Sequence, residues 1–110
     1  MQVYDTANRL AQEIKDSDEY KNFKNAKEKI NLNTELKIKI QDFEKSRYEA
    51  QLLTMQGKGD DEKIKNVQQL YEELIKDEDA LKYFDAEMKF NVIIADINKI
   101  IGDSFRDLIK

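Results

Sequence analysis

The stretch that decides the fold is the last third of the chain, EDALKYFDAEMKFNVIIADINKIIGDSFRDLIK, running from Glu78 to Lys110. Placed on a helix at 100° per residue, Ala86, Phe90, Ile93, Ile94, Ile97, Ile100, Ile101 and Leu108 line one stripe. Leu81, Phe84, Met88, Val92 and Ala95 form a second stripe on nearly the opposite side. A helix in a simple two-layer hairpin needs only one apolar face. The second stripe must therefore meet another helix of this chain or a second subunit. Covering by the first two helices and covering by a second copy are both open at this point, and they can coexist. The expected assembly is a homodimer, with Leu81, Phe84, Met88, Val92 and Ala95 as its candidate surface.

Working outward from this helix, four more segments show 3.6-residue periodicity and recognisable caps. The predicted helices span residues 4–15, 17–31, 34–56, 61–76 and 78–109 of one helical domain, 1–110. The first carries Val3, Ala7, Leu10, Ala11 and Ile14 along one face. Ser17 caps the second, whose stripe is Tyr20, Phe23, Ala26 and Ile30, and Asn33 caps the third, with Leu36, Ile40, Phe43, Ala50 and Leu53. Gly57-Lys58-Gly59-Asp60-Asp61 is the one clear loop, since glycine ends a helix cheaply and an aspartate caps the next. The fourth helix turns Ile64, Val67, Leu70, Tyr71 and Leu74 inward, and Asp77 caps the fifth.

Composition supports helix throughout. There is no proline, only three glycines (Gly57, Gly59 and Gly102), and no alternating run of β-branched residues bounded by turns. At ~1.5 Å per residue the fifth helix would be a rod of roughly 45 Å, against a radius of gyration of about 13 Å for a globule of this length. The expected fold is an elongated all-α bundle of about five helices. It is built on a long antiparallel hairpin in which the third helix neighbours the fifth.

The same composition removes most chemistry. The chain has no cysteine and no histidine, so thiol nucleophiles, thiolate metal sites and the commonest general base are absent. A ferritin-like di-iron site needs Glu-x-x-His motifs, which cannot occur without histidine. Tyr20 and Lys24 have the spacing of a dehydrogenase Tyr/Lys pair, yet no Gly-rich nucleotide loop accompanies them, and Gly57-Lys58-Gly59 does not match a phosphate loop. The acidic clusters Asp60-Asp61-Glu62 and Asp77-Glu78-Asp79 stand where helices begin, so capping and dipole roles explain them, and neither matches a calcium loop. No catalytic, cofactor or metal residue is expected, and no enzyme activity.

Mean hydropathy is −0.80, and 19 basic residues are interspersed with 23 acidic ones for a net charge of −4. The densest basic group, Lys21, Lys24, Lys27 and Lys29, has Glu28 among it and reads as a solvated face. Direct nucleic-acid binding is not expected. No apolar run approaches the ~20 residues of a membrane span, and no basic segment followed by an apolar one opens the chain. The expected location is the cytoplasm, without membrane contact.

Val3-Tyr4-Asp5-Thr6-Ala7-Asn8-Arg9-Leu10, Glu19-Tyr20-Lys21, Ala26-Lys27 and Ile94-Ala95-Asp96-Ile97-Asn98-Lys99-Ile100 together resemble the YheA branch of the YlbF/YmcA-like family, with the likeness covering essentially the whole chain. The resemblance implies a small helical protein of Gram-positive bacteria, often dimeric. It also implies kinship with non-catalytic subunits of a complex that modulates an endoribonuclease and, through it, competence, sporulation and biofilm formation. Some relatives hold iron–sulfur clusters on cysteines; this chain has none, so that property does not carry over.

The expected function is therefore regulatory or scaffolding, through helix-mediated contact with an unidentified protein partner. The alternatives are a secreted helical hairpin of the WXG type, although the Gly57 loop lacks the tryptophan, and a chaperone-like bundle gripping clients with Met and Phe.

Overall fold

The helix boundaries are written in side chains that satisfy otherwise orphaned backbone groups. In the computed structural model, which describes residues 1–109, α1 spans Gln2–Asp16, α2 Asp18–Asn31, α3 Thr34–Met55, α4 Asp61–Leu74 and α5 Glu78–Asp103. A short 3-10 turn follows at Arg106–Leu108. The chain is all-α, with no strand among the described residues.

One hydroxyl separates α1 from α2. Ser17 is extended (φ −69°, ψ 150°), its Oγ donates to the Ile14 carbonyl at 2.6 Å, and it accepts from the Tyr20 amide at 3.2 Å. Asn33 Oδ1 accepts from the Leu36 amide at 3.1 Å. Asp60 Oδ1 takes the amides of Glu62 and Lys63, and Asp77 Oδ1 those of Asp79 and Ala80 at 2.9 and 3.1 Å. Each cap satisfies donors that the first turn of a helix cannot pair internally. Such a cap contributes about 1 kcal/mol.

The α3–α4 turn closes as a Schellman motif. The Lys58 amide reaches back to the Leu53 carbonyl at 2.8 Å and the Gly57 amide to Thr54 at 3.1 Å. Gly57 holds φ +73°, a left-handed conformation that costs a side-chain-bearing residue roughly 1–2 kcal/mol.

The C-terminal end of α5 departs from expectation. The periodicity carries the helix to 109, whereas the structure ends it at Asp103. Gly102 weakens the helix there. The Ser104 hydroxyl donates to the Ile101 carbonyl at 2.6 Å, offering that carbonyl a partner other than the next helical turn. Lys110 lies outside the described residues. Similarly α4 stops at Leu74, not at 76, and Asp77 closes onto the Leu74 carbonyl at 3.0 Å before capping α5.

Two compact units divide the chain. The hairpin unit, Ala26–Tyr83, contains α3 and α4, which pack against each other. Leu36, Ile40, Phe43 and Ala50 follow the i, i+4, i+7 and i+14 pattern of one helix face, and all are buried. Ile30, Leu74, Ala80 and Tyr83 complete this core. Phe43 meets Tyr71 of α4 with ring centroids 5.9 Å apart, and the Arg47 guanidinium lies over the Phe43 ring at 5.2 Å. Whereas the sequence pairs the third helix with the fifth, the extensive partner of α3 is α4. The start of α5 joins α3 through the buried Tyr83, whose hydroxyl donates to Glu44 Oε1 at 3.0 Å.

The terminal unit, Met1–Asn25 with the chain from Phe84 onward, is built differently. Phe90 of α5 packs edge-on to Tyr20 (6.0 Å) and tilted against Phe23 (5.7 Å) of α2. Only Phe84 and Ala86 among its described residues are deeply buried, and α1 contributes none.

Candidate protein interaction surfaces

The candidate stripe on α5 begins with Leu81, in the hairpin unit, which is 47% exposed. In the terminal unit Met88 and Val92 are 58% and 54% exposed, and Ala95 is exposed as well. Phe84 is different, being only 6% exposed. It stands one helical turn after Ala80, which is fully buried, so the first turns of α5 bury a wider arc than the rest of the helix. Phe84 is core and leaves the nominated surface.

Met88, Val92 and Ala95 follow one another at i, i+4 and i+7, so they share one face of α5. Charged residues bound that face, Lys89 and Asp96 along one side and Asp85 and Lys99, each seven residues from Val92, at its two ends. Lys89 pairs with Asp85 at 3.0 Å along the helix, and Asp96 and Lys99 lie exposed further on. An apolar strip edged with both signs of charge has the chemistry of a helix–helix interface, with contact area at the centre and orientation encoded at the margin.

A second surface was not anticipated. Between α3 and α4, within the hairpin unit, runs an open groove of about 430 Å³, lined by Ala50, Thr54 and Met55 on one wall and Ile64, Val67 and Gln68 on the other. Arg47, Phe43, Tyr71 and Glu72 line an adjoining hollow. The fourth helix was expected to turn its whole stripe inward. Instead Ile64, Leu70 and Tyr71 remain 38–43% exposed, since a two-helix layer covers only the rows that face α3. Thr54 sits in the groove with its hydroxyl donating to the Ala50 carbonyl at 2.9 Å, so the polar atom is already satisfied. The available signal was the width of the α4 stripe, too broad for one neighbouring helix.

The chemistry-bearing groups do not converge. Among the described residues no three or more carboxylates gather into a metal-binding group. The acidic clusters do capping work through Asp60 and Asp77. Lys21, Lys24, Lys27 and Lys29 are exposed on α2. No helix among the described residues is long and apolar enough to cross a membrane.

Comparison with known proteins places this architecture. The model of the family described as "Control of competence regulator ComK, YlbF/YmcA" matches residues 3–106. A UPF0342 protein of Caldicellulosiruptor bescii is 43% identical over 96% of this chain and 91% of its own length. Another from Symbiobacterium thermophilum is 38% identical over 93% of this chain and 92% of its own. One from Staphylococcus epidermidis is 35% identical over 90% and 88%. With 104 of its 110 residues inside the family match, the chain belongs to the YlbF/YmcA family of control-of-competence regulators.

Proposed function

We propose that this protein is a non-catalytic regulatory or scaffolding subunit of the cytoplasm. It assembles as a homodimer and presents helical surface to a further protein partner. The process it serves is control of RNA processing, competence or sporulation, as its kinship implies. The observation that carries this reading is the exposed face of Met88, Val92 and Ala95 in a unit whose described residues include only two deeply buried side chains. A unit so poor in core gains stability by burying that face, at roughly 25 cal/mol per Å² of apolar surface removed from water. The family match supports a regulatory role. The lack of any cysteine or histidine supports a role without catalysis.

The division of labour in this reading is physical. The α5 face serves self-association, and the α3–α4 groove, with Arg47 and Glu72 beside its apolar floor, offers a seat for an amphipathic helix of the partner. The test is cross-linking in living cells through a photoreactive residue at Met55, followed by identification of the attached protein. A reproducible partner from the RNA-processing or competence machinery supports the reading. Attachment to an unselective set of unfolded chains, or recovery of the protein from the culture medium, contradicts it.

A further inference from the structure

The chain has three methionines and no cysteine, tryptophan or histidine. Peroxide chemistry therefore falls on three thioethers, at Met1, Met55 and Met88. Met55 is the last residue of α3 and is 83% exposed, so an oxidant reaches its sulfur unhindered. It is also the methionine that lines the α3–α4 groove, on the wall it shares with Ala50 and across from Ile64 and Val67.

We propose that Met55 is a reversible oxidation site, and that its sulfoxide closes the groove to the apolar face of a docking helix. The oxidant is hydrogen peroxide. A sulfur lone pair attacks one peroxide oxygen, an S–O bond forms as the O–O bond breaks, and the second oxygen leaves as water with both hydrogens. The sulfur is oxidised by two electrons and the peroxide is reduced by two.

The product differs from the thioether in the property on which the groove depends. A thioether is a flexible apolar group that adapts to an incoming apolar surface. A sulfoxide oxygen accepts hydrogen bonds from water in the open groove, and a docking helix strips that water away without replacing it. The adjacent Thr54 hydroxyl offers no substitute, because it already donates to the Ala50 carbonyl. The fold is not at stake, since Met55 lies outside the buried set of α3, which is Leu36, Ile40, Phe43 and Ala50. Oxidation thus changes the surface and leaves the core, the arrangement of a switch and not of damage.

This inference rests on the groove being a docking seat and adds its regulation. The full chain is purified with a photoreactive residue at Gln68, on the α4 wall of the groove, and treated with graded hydrogen peroxide, which is then removed. Peptide mass spectrometry follows each methionine and circular dichroism follows the helices. Light-driven labelling is then read in an extract of the cells that make the protein. Met55, at 83% exposure against 58% for Met88, is expected to convert first of the two, with helicity unchanged. Labelling through Gln68 should fall at least about tenfold, and methionine sulfoxide reductases should restore it. Met55→Leu, still oxidised at Met1 and Met88, should keep its own unoxidised yield after the same treatment.

Labelling that persists once Met55 is fully converted overturns the switch and leaves the docking seat standing. So does a loss that the reductases do not reverse, that Met55→Leu shares, or that follows a loss of helicity. Where Met55→Leu labels too weakly to compare, the reductase arm decides. A Met55 that resists peroxide while Met88 converts overturns the oxidation site itself. No labelling before any oxidation overturns the docking seat and the switch with it.

Discussion

The hairpin unit and the terminal unit are made from the same helical material and reach different ends. In the hairpin unit eight side chains, from Ile30 to Tyr83, are deeply buried, and the α3–α4 turn is locked by Gly57 and a pair of backing hydrogen bonds. Among the described residues of the terminal unit only Phe84 and Ala86 reach that depth, and α1 supplies no deeply buried residue. The apolar residues are present in both. What differs is the number of neighbours available to cover them. The difference teaches that a helix can be amphipathic by sequence and still lack a partner within its own chain, and that such a face marks where assembly would occur.

The largest expected effects separate core from face. Phe43→Ala, in the hairpin core, should cost about 3–5 kcal/mol in chemical denaturation. Phe84→Glu should be as damaging, because it places a carboxylate where the side chain is 6% exposed. Met88→Ala should change the stability of the dissociated chain by less than about 0.5 kcal/mol. Comparable losses at Met88 and Phe43 in the dissociated chain would erase the distinction between the units.

The two helix-ending glycines should respond with opposite signs. Gly57→Ala should destabilise by about 1 kcal/mol, since an alanine Cβ there meets no atom within 4 Å and the penalty comes from φ +73° alone. Gly102→Ala should stabilise by up to about 1 kcal/mol, because the same open space surrounds a residue inside a right-handed helix. Thermal denaturation of both variants checks the pair. Smallest of the set, Tyr83→Phe should cost about 0.5–1.5 kcal/mol by removing the hydroxyl that donates to Glu44. A null effect in urea denaturation would assign that bond no part in holding α5 to α3.

What could be read in advance was local. Ser17, Asn33 and Asp77 act as caps because their side chains reach amides two or three residues away, a relation that sequence spacing contains in full. Gly57 is legible for the same reason. The direction in which Phe84 points was not legible. It belongs to the second stripe of α5, and whether that part of the stripe is covered depends on what packs around Ala80 and Tyr83, not on the helix itself. The groove on α4 was hidden likewise: periodicity identifies Ile64, Leu70 and Tyr71 as apolar positions but does not say that a single neighbouring helix leaves them two-fifths exposed. At the end of α5 the apolar pattern of Leu108 and Ile109 outran the helix, because Gly102 and Ser104 changed the backbone first.

The central claim is that the α5 face of the terminal unit is completed by a second copy. The most direct measurement is sedimentation equilibrium of the wild type and of Met88→Glu, with circular dichroism on the same samples. The account predicts the mass of two chains for the wild type, the mass of one for Met88→Glu, and the same helicity for both. A wild type with the mass of one chain throughout, or a Met88→Glu variant that still sediments as two, would contradict it.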